Sequence, residues 1–173
     1  MSTQRAVVND KVNEIDEASS QYLTFVLANG EYGVEILRVQ EIRGWGPVTR
    51  IPNTPDYVQG ILNLRGTIVP IVDLRMRFGL EKIEYGPTTV IVVLKAVHGN
   101  AKRIVGVVVD GVSDVHNLRA SDIKPAPDFG ETLKTEFIQG MATIGDKMLV
   151  LLDVDRLLNY RELETVEAAV GSE

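Results

Sequence analysis

Residues 58–78 read VQGILNLRGTIVPIVDLRMRF, and residues 138–158 read IQGMATIGDKMLVLLDVDRLL. The two stretches align without a gap, and both have a Gln-Gly pair near the start and an aspartate after a mainly apolar run. No other position is identical, but the order of the features is the same. The two stretches therefore indicate that the fold arose by duplication of one unit.

A second pair of segments extends this repeat. Residues 32–42 (YGVEILRVQEI) align with residues 105–115 (VGVVVDGVSDV), and the acidic residues Glu41 and Asp114 coincide. Two copies are too few for a solenoid or a propeller. Many short strands broken by Gly and Pro instead predict an all-β fold of two small barrels with a few short helices.

Local signals predict individual elements. An Asn-Gly pair at 29–30 separates the strand-like runs 22–28 and 31–36, which predicts a hairpin turn because both residues tolerate positive φ. Further segments are predicted from apolar periodicity and turn residues: a continued strand or a short helical turn at 37–42, a short helix at 56–62, strands at 88–96 and 102–109, and a helix within 154–169.

Composition narrows the range of functions. The 173 residues contain no cysteine, which excludes disulfides, thiolate metal ligands and a thiol nucleophile. The net charge of −6 disfavours a nucleic-acid backbone as the main partner, since phosphate contacts need clustered Lys and Arg. The polar N-terminus lacks the apolar core of a signal peptide, and no apolar run approaches the roughly 20 residues of a membrane span. We therefore expect a cytoplasmic protein without membrane insertion.

The residues that could carry catalysis form no familiar catalytic arrangement. The two histidines, His98 and His116, fall in or near predicted turns and make a poor metal site without cysteine. Asp73 and Asp153 could share a proton as an acid-protease dyad. Neither is followed by the Thr-Gly or Ser-Gly turn that such a dyad needs, so they are predicted to end strands and cap the next helix. We expect no enzymatic activity, no metal and no cofactor.

The apolar run of the first half contains two unusual residues. Pro70 has no N–H to donate to a neighbouring strand, so we expect it on an edge strand or at a bulge, where another chain can dock. Arg65-Gly66 is predicted to form a bulge or a tight turn. Arg65 either reaches an acidic partner, with Glu41 as the candidate, or remains a solvated turn residue. The second half has Gly145 in its place, so this arginine belongs to one half only.

The single tryptophan, Trp45, lies between two glycines. An aromatic residue in such a setting is poorly suited to the middle of a core strand. Two alternatives stay open: Trp45 is a loop anchor that faces a partner, or it is a lid over the first barrel.

Six runs together resemble CheW, the coupling family of bacterial chemotaxis. These runs are Glu31-Tyr-Gly, Val39-Gln-Glu-Ile-Arg, Val48-Thr-Arg-Ile, Asn63-Leu-Arg-Gly, Val69-Pro-Ile-Val-Asp-Leu-Arg and Gly106-Val-Val-Val-Asp-Gly-Val-Ser-Asp. The resemblance covers nearly the whole chain. With it, the chain divides into a mobile tail at 1–19, one CheW-like domain at 20–160, and a helical or flexible end at 161–173.

The resemblance implies a fold and a function. The fold is a pair of five-stranded SH3-like barrels with strands exchanged between them. The function is that of a non-enzymatic adaptor that bridges methyl-accepting chemoreceptors and the histidine kinase CheA. In the family, the helical hairpin tip of the receptor docks in the groove between the barrels. The regulatory domain of the kinase pairs with pseudo-symmetric barrel edges, which also allows rings of CheW-like domains in receptor arrays at the inner face of the membrane.

One alternative to the adaptor function is the binding of nucleic acid. A small barrel could bind single-stranded nucleic acid through a basic groove with aromatic platforms. The acidic balance and the few aromatic residues of this chain disfavour that function.

The resemblance also implies roles for single residues. Val39 and Glu41 match positions associated with receptor coupling, and Arg65 matches the arginine expected to pair with that glutamate at the barrel junction. Three apolar residues are implied to line the groove: Ile36, Leu64 and Val109. Trp45 stands where a smaller aromatic residue is common, which leaves the receptor preference open.

Overall fold

The computed structural model describes residues 19–126 and 135–158. Within these ranges the strands are β1 (Ser19–Leu27), β2 (Gly30–Glu35), β3 (Val39–Gly44), β4 (Val58–Leu64), β5 (Thr67–Asp73), β6 (Val90–His98), β7 (Ala101–Val109), β8 (Gly111–Arg119), β9 (Ile138–Ile144) and β10 (Lys147–Leu152). The helices are α1 (Leu74–Arg77), α2 (Val154–Leu158) and the 3₁₀ turns η1 (Ile36–Arg38), η2 (Ala120–Asp122) and η3 (Thr135–Phe137). No helix in these ranges is long and apolar enough to cross a membrane.

The strands form two five-stranded sheets. One has the order β8-β1-β2-β10-β9, and the other has the order β3-β6-β7-β5-β4. We call them barrel A and barrel B, because a short bridge brings the two outer strands of each sheet together. The all-β prediction of two five-stranded barrels with a few short helices is confirmed.

The chain exchanges hairpins between the barrels. The β1–β2 hairpin of the first half joins β8, β9 and β10 of the second half, and the β6–β7 hairpin of the second half joins β3, β4 and β5 of the first. In each barrel the exchanged hairpin meets the other half through a parallel pair, β2 with β10 and β7 with β5. The two sheet orders are equivalent: each of β1 to β5 takes the place in one sheet that the strand numbered five higher takes in the other. A duplicated unit requires this equivalence.

Barrel B closes where the loop after β3 reaches β4. The N–H of Thr49 donates to the carbonyl of Ile61 at 3.0 Å, and the N–H of Ile61 donates back at 2.8 Å. Gly60 lies directly at this crossing with φ +148°, and a Cβ on it would stand 2.4 Å from the Thr49 carbonyl oxygen. Only glycine fits at this position without moving the backbone.

Barrel A closes in the same way. Lys124 and Met141 exchange two backbone hydrogen bonds of 2.8 Å. A Cβ on Gly140 would stand 2.9 Å from the Lys124 carbonyl oxygen and 2.5 Å from Cγ2 of Ile123. The Gln-Gly pair found in both halves of the sequence therefore marks the point where each barrel closes.

Several strands are buried on both faces, which explains apolar runs without alternation. In β6, Ile91 and Val93 point into the interior of barrel B, whereas Val92, Leu94 and Ala96 face a large cluster between the barrels. We call this cluster the inter-barrel core, since it joins residues of both sheets and of α2. A smaller cluster fills the interior of barrel A.

The paired aspartates cap helices. Asp73 accepts a hydrogen bond from the N–H of Met76 at 3.2 Å at the start of α1, and Asp153 accepts one from the N–H of Arg156 at 3.1 Å at the start of α2. The capping prediction is confirmed for both residues, and Asp73 ends β5, whereas Asp153 directly follows β10.

Three local predictions differ from the structure. The helix predicted at 56–62 is wrong, because residues from Val58 onward form β4 and pair with β5. The first hairpin turns one residue earlier than predicted, with Ala28 at φ +56° and Leu27 opposite Gly30. Ser19, assigned to the tail, already belongs to β1.

The prediction that Pro70 lies on an edge strand is wrong. Strand β5 lies between β4 and β7. The pairing with β7 starts only at Ile71, so Pro70 is the last residue before that ladder and its missing N–H interrupts no bond to β7. Pro70 itself is buried.

Two open or partial predictions are resolved within the described ranges. Both alternatives for 37–42 occur, because the 3₁₀ turn η1 ends at Arg38 and β3 follows it. The C-terminal helix is present as Val154–Leu158, and residues 159–169 lie outside the described ranges.

We predict that Gly60→Ala lowers the free energy of unfolding by about 2–4 kcal/mol, because the new methyl group meets the Thr49 backbone and the positive φ adds strain. Urea denaturation at neutral pH measures the loss. Gly44→Ala is the matched control, since a Cβ at that position meets nothing within 4 Å. Equal stability of the two variants would contradict the role of Gly60 in barrel closure.

Candidate functional site

Arg65 and Glu41 are in contact. Arg65 and Gly66 form the two-residue turn between β4 and β5, with φ of +51° and +89°. From this turn the Arg65 guanidinium reaches across to β3, where Nη2 donates to Oε1 of Glu41 at 2.8 Å. The Arg65 side chain is 72% exposed and that of Glu41 is 25% exposed.

This ion pair lies within one barrel. Both β3 and the β4–β5 turn belong to barrel B, so the pair forms within one barrel, whereas the resemblance implied a pair at the barrel junction. Because Arg65 is largely exposed, solvent screens the pair, and its contribution to folding stability is under about 1 kcal/mol. The pair is therefore a surface feature with little structural importance.

Arg65 also occupies an unfavourable backbone conformation. A left-handed residue other than glycine costs on the order of 1 kcal/mol, and the matching turn of the second half has glycine there, Gly145 at φ +60°. The first half thus keeps an arginine where glycine would be easier. The strained backbone of Arg65 costs stability, and its exposed ion pair with Glu41 contributes little stability to offset that cost. This combination points to a role for the Arg65 side chain outside folding.

Two of the predicted coupling residues lie at the crossover from barrel A to barrel B. Ile36 begins η1 and Val39 begins β3, and both are partly buried against the inter-barrel core. Between them Leu37 is 81% exposed, although it is a large apolar residue. Leu37 is not singled out by the sequence, because two adjacent apolar residues such as Ile36 and Leu37 give no sign of which one faces outward.

The groove prediction is wrong for two residues. Leu64 is 5% exposed in the interior of barrel B, and Val109 is 1% exposed in the inter-barrel core. Both fill the core, so neither offers its side chain to a partner. Apolar strand residues of a double-faced sheet cannot be sorted into core and groove by sequence alone.

Trp45 lies over barrel B. The Trp45 ring packs edge-on against Tyr85, with centroids 4.3 Å apart, and the backbone N–H of Trp45 donates to the Thr89 carbonyl at 3.2 Å. Both rings border the interior cluster of barrel B. This arrangement corresponds to the lid alternative, and Trp45 stays partly exposed.

Tyr85 anchors the loop before β6. This tyrosine was not predicted from the sequence as a site residue. Its hydroxyl donates to Oδ2 of Asp73, whose residue is only 2% exposed. Burial, and then the hydrogen bond to Asp73, raise the pKa of Tyr85 above its ordinary value of 10.0. Tyr85 therefore stays protonated and holds both Trp45 and the capping aspartate in place.

The described residues contain no other site chemistry. No group of three His, Asp or Glu among them could hold a metal ion. One cavity near α2 is lined mainly by polar and charged residues, including Glu35, Arg38 and Asp155.

We predict that Tyr85→Phe lowers the free energy of unfolding by about 1–3 kcal/mol at neutral pH, because Asp73 loses a buried hydrogen bond. The stabilisation from the Tyr85 proton is fully present below about pH 10 and is lost as the pH rises further, since the unfolded tyrosine ionises first. The difference between the two proteins should thus narrow above pH 10. Urea denaturation at pH 7.5 and pH 10.5 tests this, and a pH-independent difference would contradict it.

Comparisons with known proteins agree with this architecture. The family model described as CheW-like domain matches residues 21–162. The chain is 48% identical over 157 residues to "Chemotaxis protein CheW" of Klebsiella aerogenes, covering 91% of this chain and 92% of that protein. It is 33% identical to "Chemotaxis protein CheW" of Rhizobium meliloti, covering 91% and 99% of the two chains.

A solved structure gives the same result. The scaffolding protein TtCheW from Thermoanaerobacter tengcongensis superposes with a TM-score of 0.73 at 31% identity, covering 83% of this chain and 90% of that one. The family model spans most of the chain, and the relatives match over nearly their full lengths. The chain therefore belongs to the CheW-like family.

Proposed function

We propose that this chain is a non-enzymatic chemotaxis adaptor that couples methyl-accepting chemoreceptors to the histidine kinase CheA and takes part in assembling the receptor array. The observation that carries the proposal is the exposed and strained Arg65, paired with Glu41 on barrel B. The pair adds little to folding, yet the first half retains it at a backbone cost. Exposed charges in a fixed geometry suit recognition of a partner protein.

The proposed mechanism is positioning. A receptor tip contacts the chain near the crossover and barrel B, and the regulatory domain of the kinase contacts a barrel edge. Single contacts of modest affinity become strong when many copies are held side by side in an array, because each further contact forms at a high effective concentration. The chain is cytoplasmic in this proposal and is recruited to arrays at the inner face of the membrane. It alters kinase activity by geometry alone.

Two other functions receive less support. Single-stranded nucleic acid would need a basic groove, whereas the chain carries a net charge of −6. An acid protease would need free carboxylates that share a proton, whereas Asp73 and Asp153 each cap a helix at their own barrel. Neither alternative accounts for Arg65 and Glu41.

We expect that adding the chain to receptor-containing membranes and CheA raises kinase phosphorylation and makes it responsive to the receptor's ligand. Phosphate incorporation into the kinase measures both effects. Omission of the receptor is the control, because an adaptor should then have little effect. Unchanged kinase activity at saturating adaptor would refute the proposed function.

We further predict that Arg65→Gly separates stability from coupling. Glycine adopts positive φ without strain, so the variant should have an unchanged free energy of unfolding or one raised by about 1 kcal/mol. Coupling should fall, since the exposed cation and its pair with Glu41 are lost. The matched control is Gly145→Arg in the second half, which should cost about 1 kcal/mol of stability and leave coupling intact.

Charge reversal tests the pair directly. Arg65→Glu or Glu41→Arg alone should weaken kinase activation, and the double exchange should partly restore it, because the two side chains interact. Equal and additive losses in the double variant would reject a functional pair.

A further inference from the structure

Two bidentate ion pairs tie the halves of the chain together at the crossovers between the barrels. The first half comprises β1 to β5 and α1, and the second half comprises β6 to β10 and α2. Nη1 and Nη2 of Arg38 donate to the two carboxylate oxygens of Asp155, each at 2.8 Å. Nε and Nη2 of Arg75 donate to the carboxylate of Asp110 at 3.0 Å each. We call these two pairs the clamps, because each joins one half to the other.

The two clamps occupy equivalent places in the duplicated fold. Arg38 directly precedes β3 and Asp110 directly precedes β8, so each lies at the step from one barrel to the other. Arg75 lies in α1 and Asp155 lies in α2, and these two positions coincide in the alignment of residues 58–78 with residues 138–158. In both clamps, therefore, the crossover of one half faces the helix of the other half.

The clamp charges are sorted by half. Both clamp residues of the first half are arginines, and both clamp residues of the second half are aspartates. If each half carried one residue of each sign, two like halves would match as well as two unlike halves. With the observed charges, a first half forms both clamps only with a second half.

A duplicated fold makes the pairing of like halves a real alternative. Because the two halves share one architecture, the hairpin of a first half could complete the barrel of a first half in another chain, as in domain swapping. Such a pairing would bring Arg38 of each chain against Arg75 of the other. A pairing of two second halves would bring Asp110 against Asp155 in the same way. Like charges brought together across an interface suppress the wrong partner.

The surroundings of the clamps strengthen this selection. Side-chain exposure is 30% for Arg38 and 34% for Asp155, and it is 15% for Arg75 and 20% for Asp110, so solvent screens these charges less than it screens fully exposed ones. Asp110 also accepts the N–H of Ala28 at 2.8 Å. In a pairing of two first halves an arginine would take the place of Asp110, and this N–H would lose its acceptor.

A third ion pair between the halves has no such property. Nζ of Lys147 lies 3.6 Å from Oε1 of Glu31, and the lysine side chain is 73% exposed. The position equivalent to Lys147 in the first half is Thr67, which is uncharged. A pairing of two first halves would therefore bring no like charges together at this place. Lys147 thus provides a matched control for the clamps.

We propose that the clamp charges select the pairing of unlike halves, and so prevent hairpin exchange between like halves of two copies of this chain. Exchange between unlike halves of two chains would keep both clamps. Against that exchange the chain relies on the high effective concentration of its own second half. The inference concerns assembly of the fold and goes beyond the proposed adaptor function, on which it does not depend.

Refolding of the full chain from urea tests this selection. Size-exclusion chromatography with light scattering measures the dimeric fraction at a fixed protein concentration. Arg38→Glu combined with Asp155→Arg reverses one clamp, which still joins opposite charges in the native pairing. Each half then carries one charge of each sign, so like halves also match. The dimeric fraction after refolding should be at least about fivefold that of the unaltered chain.

Reversal of both clamps should restore the selection. Arg75→Glu and Asp110→Arg, added to the first two substitutions, place both acids in the first half and both arginines in the second. This fourfold variant should be less stable than the single-clamp variant, because the N–H of Ala28 also loses its acceptor. Its dimeric fraction should nevertheless return to within about twofold of the unaltered chain, since like halves again repel.

A neutral variant tests the same point with little change of shape. Arg38→Gln combined with Asp155→Asn removes the charges of one clamp, and the asparagine oxygen can still accept the N–H of Val97, which Asp155 accepts at 2.8 Å. Because no like charges then meet in either pairing of like halves, the dimeric fraction should rise at least about twofold. This variant decides the question if the charge-reversed chains do not refold.

Two controls separate charge selection from other effects. Tyr85→Phe lowers stability without a change of charge, and Lys147→Thr removes an ion pair between the halves that has no charged counterpart. Both should leave the dimeric fraction unchanged. An increase in the single-clamp and neutral variants alone supports the inference. Equal dimeric fractions in these variants and the unaltered chain, or an increase that follows loss of stability in Tyr85→Phe as well, would overturn it.

Discussion

The inter-barrel core is the constraint on which the rest of the structure depends. Each half donates a hairpin to the barrel of the other half, so neither barrel is complete in one half. The apolar faces left by this exchange meet in one cluster, which includes Phe25, Val34, Val92, Val107 and Leu157. Burial of such large apolar surfaces is the main favourable contribution to folding. The two barrels are therefore joined by the same contacts that fold them.

This shared core limits where a partner can bind. Strands such as β6 are buried on both faces, and their buried residues have no side chain to offer to a partner. Two exposed features lie at a turn and at a crossover, namely Arg65 at a hairpin turn and Leu37 at the step from one barrel to the other. Both features belong to the first half. The duplicated fold has thus kept one architecture in both halves while only one half carries the strained arginine.

Much of this architecture could be predicted from the repeat in the sequence. The matched Gln-Gly pairs and the capping aspartates occupy equivalent places in both barrels, because backbone closure and helix capping depend on local residue type. The helix predicted at 56–62 failed, since tertiary pairing with β5 overrode its local turn signals. The candidate site was predictable only in part. Glu41 and Arg65 do meet, but burial separates Leu64 and Val109 from the surface residues, and no pattern in an all-apolar strand reveals it.

Two ion pairs at the crossovers between the barrels, Arg38 with Asp155 and Arg75 with Asp110, show a further limit of sequence comparison. An alignment that rewards identity treats Arg75 and Asp155 as a mismatch, although the structure gives them equivalent roles. Opposite charges at matched positions carry information when their partners are also exchanged. Such a pattern becomes visible only after the topology shows which segments face each other.

The most direct measurement of the central claim is native-state hydrogen exchange on the isolated chain. If the shared core makes the two barrels one rigid bridge between partners, the slowest amides of β1, β6, β7 and β10 should exchange with the same free energy, that of global unfolding. Destabilising one barrel by a core substitution should then lower protection in both. Independent exchange, with one barrel opening while the other stays protected, would contradict the account.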